Sequence, residues 1–351
     1  MRPAPKILDC TLRDGSYAIN FQFSQSETAR IAGRLDALGF PLIEVGHGIG
    51  LGASEKGLGV AAASDVEYMR AAGSAVKTGV WGMFCIPGVA TLDHLSLAAD
   101  NGMGFVRIGC EVENADQAVP FIEKARSLGM NAYSNLMKSY AVAPDYFAEK
   151  ALTCWDAGAE CIYVVDSAGG MLPGEISELV GGLRRRIPGI RLGFHGHHNL
   201  GMGVANALLC ADLGFELLDS SLQGFGRSAG NTPTEQLVAV LLRAGYDMGM
   251  DPVDVMQASE DLVRPLVRNR GISSLDVTAG LALFHSSYMG RVLGVARSHR
   301  IDPRRLILAV CEFDKASAPL ELVERCAAMI SDRTPEGSGR FFDEYYGEEQ
   351  R

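Results

Sequence analysis

Two kinds of segment alternate along the first 246 residues. Short β-branched or apolar runs stand at KILDCTL (6–12), PLIEVGH (41–47), VKTGVWGMF (76–84), FVRIGC (105–110), NAYSNLM (131–137), CIYVVDS (161–167), RLGFHGH (191–197) and ELLDSSL (216–222). Helix-like stretches separate them. SQSETARIAGRLDALG (24–39) opens on Ser24 with Glu27 three residues on, the signature of a capping box, and Gly39 follows its last turn. NADQAVPFIEKARSLG (114–129) opens on Asn114 and carries Pro120 in its first turns. PDYFAEKALTCWDAG (144–158) places Pro144 where a missing N–H costs nothing. Glycines that would close helices recur at 39, 73, 102, 129, 158 and 214.

Eight strand–helix units at a pitch of roughly 25–35 residues predict a parallel sheet with crossover helices. Polar residues end strand after strand: Arg13 and Asp14, Glu44 to His47, Asp166 and Ser167, His195 to Asn199, Asp219 to Arg227. That pattern favours a closed (β/α)8 TIM barrel over a doubly wound sheet, with the chemistry at the C-terminal ends of the strands. The alternation stops after residue 246. DPVDVMQASEDLVRPLV, DVTAGLALFHSSYMGRVLGVARSHR, DPRRLILAVCE and LELVERCAAMI then read as helices. The expectation is a TIM-barrel catalytic domain over 1–246, a helical C-terminal domain over 247–340, and a flexible tail over 341–351.

With 47% hydrophobic and 21% charged residues the composition is globular. A formal net charge of −10 and a pI of 5.3 argue against a nucleic-acid or anionic-membrane surface. Eight cysteines without C-x-x-C spacing, several inside apolar runs, fit a reducing cytoplasm with neither disulfides nor structural zinc. The N-terminus has no apolar signal-peptide core, and no apolar stretch reaches the roughly 18 residues that would span a membrane. A cytoplasmic protein is expected.

On a strand, residues i and i+2 share a face, so His195 and His197 project together. A lone His-x-His also fits two hydrogen-bonded structural histidines. Its context favours a metal site. The seventh strand neighbours the eighth, closure brings strand one alongside, and strand one ends in Asp14, a hard oxygen ligand. Gly196 leaves room on the opposite face. One carboxylate and two imidazoles leave about three open positions, which suits Mn2+ or Mg2+, with Co2+ able to substitute, better than a closed zinc site. Open positions suit a 2-oxo acid, whose enolate the metal would stabilise as a Lewis acid. Arg13 would add a second positive charge there, unless it forms a rim ion pair. GFGRSAGNTP (224–233) is a glycine-rich loop lacking the Lys-Ser/Thr of a nucleotide-binding loop. Within it Asn231 offers a further oxygen to the metal or its surroundings.

TLRDG (11–15), HGHHNLGMGVAN (195–206) and AGNTPTE (229–235) resemble the metal-dependent DRE-TIM, or HMGL-like, superfamily of lyases and synthases. Within it LDCTLRDGSYAINFQFS, LIEVGHGIGLGAS, CIYVVDSAGGM, HGHHNLGMGVANALL, LVRPL and FHSSYMG resemble the 4-hydroxy-2-oxovalerate aldolases, in their order, from residue 6 to at least 330. The resemblance implies a metal held by Asp14, His195 and His197, with Arg13 on the enolate oxygen. It implies reversible cleavage of a 4-hydroxy-2-oxo acid to pyruvate and an aldehyde by a carbon–carbon lyase of the class II, metal-dependent kind. Ser167 would lie near the substrate carboxylate, with Glu44, His47 and Asn231 around it. Family members often pair with an acylating aldehyde dehydrogenase, and a homo-oligomer is expected.

The chain departs from that pattern. The aldolases usually carry a histidine base where this chain has Tyr17, and a tyrosine where it has His285. A phenol of pKa about 10 is a poor base at neutral pH, whereas imidazole at about 6.5 is well matched. The expectation is that His285 has taken over proton transfer and Tyr17 orients substrate; the alternative is a packing role for His285 and altered activity. Ile49 replaces a usual Asp, which makes the pocket for the carbonyl partner more apolar. Two other functions stay open: an acyl-CoA-dependent Claisen synthase or CoA-thioester lyase, and an idle scaffold subunit for an aldehyde dehydrogenase. Tyr17 motivates the scaffold, while Arg13, Asp14, His195 and His197 argue against it.

Overall fold

The computed structural model describes residues 2–267 and 272–330. The eight apolar runs form eight parallel strands: β1 (Lys6–Leu12), β2 (Leu42–Val45), β3 (Val80–Cys85), β4 (Phe105–Glu111), β5 (Asn131–Met137), β6 (Cys161–Asp166), β7 (Leu192–Gly196) and β8 (Leu217–Ser220). They hydrogen-bond in chain order, and β8 returns to β1 to close the barrel. Alternation divides the strand residues between two cores. Leu8, Cys10, Leu42, Phe105, Tyr133, Cys161, Tyr163, Val165 and Leu217 fill the interior. Ile7, Ile43, Val106, Ala132, Ile162, Val164, Phe194 and Leu218 pack outward under the helices.

Eight helices follow the strands: α1 (Gln25–Ala37), α2 (Asp65–Ala75), α3 (Leu92–Asp100), α4 (Val119–Ser127), α5 (Pro144–Asp156), α6 (Pro173–Arg186), α7 (Gly203–Asp212) and α8 (Thr234–Arg243). The capping box of α1 is present: Glu27 N–H donates to Ser24 Oγ at 3.2 Å, and Ser24 N–H to Glu27 Oε2 at 2.8 Å. Most strand bounds shift by one or two residues, and three larger details differ from the sequence reading. Gly73 lies inside α2, which runs on to Ala75. Strand three starts at Val80 rather than 76, because the backbone N–H groups of Lys77, Thr78 and Gly79 turn to the Asp36 carboxylate on α1. The stretch from 114 splits at its proline: a 3-10 segment (Val112–Ala118) precedes α4, whose first turn holds Pro120.

Beyond the barrel come α9 (Pro252–Leu262), α10 (Ser274–Ala282), α11 (Met289–His299), α12 (Pro303–Phe313) and α13 (Leu320–Met329). Val255, Ala258 and Leu262 of α9 join the core under the barrel helices, while α10 to α13 build a second core around Met289, Val292, Ile307, Val310 and Val323. The long helix read over 276–300 is broken. Leu283 adopts the left-handed conformation at φ +56°, Phe284 N–H bonds back to Ala279 O at 2.8 Å, and a 3-10 turn (Ser286–Tyr288) restarts the chain as α11. A short parallel pairing of Arg2–Pro3 with Tyr246–Asp247 has no counterpart in the sequence reading. The expected tail at 341–351, and 331–340 before it, lie outside the described residues.

All eight cysteines are buried thiols. No helix among the described residues is long and apolar enough to cross a membrane.

Candidate active site

The inward face of the strands turns charged toward their C-terminal ends. Glu44, Arg107, His195 and Asp219 each stand two residues beyond Leu42, Phe105, Gly193 and Leu217, and so share their face. They form one buried chain with Arg13. Arg13 Nε donates to Glu44 Oε2 at 2.7 Å, and Arg107 Nε donates to Glu44 Oε1 at 2.8 Å. Arg107 also bonds Asp219 through Nη1, and Asp219 Oδ2 sits 2.8 Å from His195 Nδ1. Burial would push the Glu44 carboxyl up, but the Arg107 and Arg13 guanidinium groups hold it below the ordinary range.

This chain ends at a cluster of donor atoms. One ligand atom each from Asp14, His195 and His197 lies within 4.8 Å of the others, and all three residues are buried. Asp14 opens a 3-10 turn (Asp14–Ile19) directly after β1 and Arg13. His197 continues past β7 in an isolated bridge to Asn231. Each imidazole is anchored at Nδ1, His195 by Asp219 and His197 by Gly230 O at 3.2 Å. Anchoring that nitrogen orients Nε2 as the ligating atom. His195 Nε2 lies 3.9 Å from Asp14 Oδ2, and His197 Nε2 is buried without a partner among the described residues.

The donor set fits a divalent cation. A buried unpaired lone pair costs about 1–3 kcal/mol, and a bound ion satisfies it. Burial would raise Asp14, yet Arg13 and the neighbouring histidines hold it far below the ordinary carboxylate range. Burial, together with Arg227, pushes His197 well below the usual imidazole value. An ionised carboxylate and a neutral imidazole are the states that ligation needs. Asn231 Nδ2 donates to Asp14 Oδ1 at 3.1 Å and to Phe225 O at 3.2 Å, while its Oδ1 is buried without a partner among the described residues. The glycine-rich loop permits this approach, since a Cβ on Gly226 would collide with the Asn231 amide.

The other expected residues fall into two groups. Arg13 touches the cluster, with Nη1 donating to Asp14 Oδ2 at 2.6 Å. Ser167 follows β6; its Oγ accepts from Lys138 N–H at 3.1 Å and its carbonyl accepts from Arg227 Nη2 at 3.3 Å. Arg227 Nη1 donates to Ser286 Oγ at 2.8 Å, which joins the loop after β8 to the turn that follows His285. His285 is buried; burial, with Arg227, Lys138 and His197 nearby, holds its imidazole neutral. Its Nδ1 accepts from Ser287 N–H at 3.2 Å and lies 2.7 Å from Ser287 Oγ.

Glu44 and His47, expected around the substrate, have these contacts within the protein. Glu44 is fully buried, and both its oxygens accept from arginines. His47 Nδ1 accepts from Ile49 N–H at 3.1 Å, its Nε2 meets Gly59 O at 3.3 Å, and its ring stacks on Phe21 at 3.8 Å between centroids. Burial brings its pKa down to about 4. Tyr17 meets Phe21 edge-on at 5.1 Å and forms an apolar cluster with Phe21, Ile49 and Ala53, bordered by Leu58, Ile86 and Val89. Sequence reading gave no role to Arg107, Lys138 or Arg227. The signal for Arg107 was a lone charge inside the otherwise apolar FVRIGC run.

A closed barrel with an Asp-His-His cluster beyond its strand ends defines the class, a TIM-barrel enzyme with a candidate metal site. The HMGL-like family model matches residues 4–262, and the chain belongs to that family. 4-Hydroxy-2-oxovalerate aldolase 2 of Rhodococcus jostii (strain RHA1) is 38% identical over 333 residues, covering 94% of this chain and 96% of that protein. 4-Hydroxy-2-oxovalerate aldolase of Moorella thermoacetica is 39% identical over 303 residues, covering 86% of this chain and 89% of that protein. The carboxyl transferase domain of Rhizobium etli pyruvate carboxylase superposes with a TM-score of 0.75 at 17% identity, over 93% of this chain and 60% of that one. That likeness speaks for the fold alone.

Proposed function

We propose that the protein is a divalent-metal-dependent pyruvate aldolase, a carbon–carbon lyase that reversibly cleaves a 4-hydroxy-2-oxo acid to pyruvate and an aldehyde. The observation that carries this reading is the unpartnered Nε2 of His197, buried beside Asp14 and His195. These three residues would hold Mn2+ or Mg2+, with Co2+ as a substitute, and the ion supplies Lewis acidity to the 2-oxo group.

The chain's own residues do the rest. Arg13, fixed by Glu44, faces the negative charge that develops on the 2-oxo oxygen. Ser167 meets the substrate carboxylate. His285 takes the proton of the 4-hydroxyl; the C3–C4 bond then breaks, the aldehyde carbonyl forms at C4, and the electron pair passes to the pyruvate fragment. Protonation at C3 completes the methyl group. The neutral state of the buried imidazole supports this role, because only an uncharged ring can take up a proton. Tyr17 lends its ring to the cluster with Phe21 and Ile49, which favours an aldehyde with an apolar substituent. Asn231 steadies Asp14. An acylating aldehyde dehydrogenase partner and a homo-oligomeric state belong to the same proposal, on the likeness to the aldolases.

The test is exchange of the pyruvate methyl protons for deuterium, read by mass spectrometry with added Mn2+ or Mg2+ and again with chelator. Metal-dependent exchange is expected. Folded, metal-loaded protein that leaves the methyl group untouched would overturn the reading. Metal content by mass spectrometry, in the wild type and in His197→Ala, checks the ligand set without reference to turnover.

A further inference from the structure

We propose that Lys138 is a positioning residue that clamps the segment carrying His285 onto the end of β5, and so sets the place of that imidazole in the site. Lys138 directly follows β5 and is 4% exposed. Its backbone is in the left-handed region at φ +58°, uncommon for a side chain other than glycine, asparagine or aspartate. The ammonium has three N–H donors and meets three acceptors. Glu111 Oε1, at the end of β4, lies at 2.6 Å, Tyr288 OH at 2.7 Å and Ala316 O at 2.6 Å. Tyr288 OH donates in turn to Ala316 O at 2.9 Å, and the Tyr288 ring centroid lies 4.9 Å from Nζ.

One side chain therefore joins two barrel strands to two separate pieces of the helical region. A buried ammonium is costly unless paired and hydrogen-bonded. Here every partner fixes a direction, and with all three N–H groups engaged the amine serves neither as base nor as nucleophile. Tyr288 stands three residues beyond His285, and their ring centroids are 6.0 Å apart. The clamp therefore acts on the turn that His285 caps. On the other side, Arg227 holds Ser286. The backbone N–H of Lys138 donates to Ser167 Oγ, so one residue links the group that meets the substrate carboxylate with the segment that carries the base. The inference rests on His285 being the base.

The test compares Lys138→Met, Lys138→Arg and Tyr288→Phe in the metal-loaded enzyme. Misplacement of a catalytic group by about 1 Å costs on the order of 10²-fold, so Lys138→Met should lower kcat for cleavage roughly 10- to 100-fold while metal content stays at the wild-type level. Lys138→Arg should restore part of the loss. Because the effect passes through His285, adding Lys138→Met to His285→Ala should change kcat by less than about twofold. A kcat near wild type in Lys138→Met, or losses that multiply in the double variant, would overturn the proposal. Tyr288→Phe removes one hydroxyl only and serves if Lys138→Met does not fold; it should lower kcat in the same non-additive way, and unchanged turnover there counts against the clamp. Amide hydrogen exchange at residues 284–288 separates this idea from the reaction itself. If the wild type cleaves no 4-hydroxy-2-oxo acid, faster exchange in the variants still upholds the clamp, and unchanged exchange sinks it.

Discussion

The Nδ1 of His195 and the Oδ2 of Asp219 lie 2.8 Å apart, both buried, with Arg107 bonded to the same carboxylate. The bond places the imidazole proton on Nδ1 and turns Nε2 toward Asp14. Outer partners of this kind typically govern metal affinity by 10- to 100-fold, so Asp219→Asn should weaken Mn2+ binding by about that factor. His195→Ala should abolish binding and turnover together. Competition against a fluorescent chelator reads both. Wild-type affinity in Asp219→Asn would show that the carboxylate serves the Arg107 pair alone.

Arg13 divides its guanidinium between Glu44 and Asp14, at 2.7 and 2.6 Å. Its charge is thereby aimed where the 2-oxo oxygen would sit, beside the Asp14 carboxylate. Arg13→Ala should keep its metal and lose on the order of 10²–10³ in kcat, the scale of one oxyanion contact. Loss of metal in that variant would instead make Arg13 a support for the Asp14 carboxylate.

His285 and Tyr17 differ in surroundings as well as chemistry. His285 is a buried neutral imidazole that feels the charges of Arg227, Lys138 and Asp14, whereas Tyr17 packs among Phe21, Ile49 and Ala53. His285→Ala should cost about 10²-fold or more in cleavage, in line with one general base, and Tyr17→Phe much less. The opposite ranking with a 4-hydroxy-2-oxo acid would return the base role to Tyr17.

Period-two alternation is a local property, so all eight barrel strands were legible, with β1 and β5 correct at both ends. The clustering of Asp14, His195 and His197 at the strand ends was legible too, because barrel closure brings strand one and strand seven to the same end. What escaped was long-range or conformational. Arg107 pairs with Asp219 across 112 positions, and no local pattern announces such a partner. The break at Leu283 lacks the glycine or proline that marks most helix ends, since a leucine there takes the left-handed conformation itself. Glu44 and His47 carried the right chemistry at the right strand end. Their side chains point to arginines and backbone, which a strand position alone does not reveal.

Asp9 gives the fold a pH dependence separate from the site. Its carboxyl is wholly buried on β1, where it accepts from Thr11 N–H at 2.9 Å and from Thr11 Oγ1 at 3.0 Å. Burial, reinforced by Glu235 and Asp219, raises its pKa from 3.8 to about 7 despite the two bonds. Between those values the folded protein binds a proton that the unfolded chain does not. Stability from this group is therefore complete below pH 4 and is lost as pH climbs through about 7, a change of a few kcal/mol. Asp166, raised to about 6 by burial, acts in the same direction over a narrower window, so the wild type alone does not isolate Asp9. Asp9→Asn does, because an amide keeps the size and does not titrate. Its Tm relative to wild type should rise as pH is taken from 5 to 8, and a Tm difference that stays constant across that range would mean that Asp9 does not change ionisation on folding.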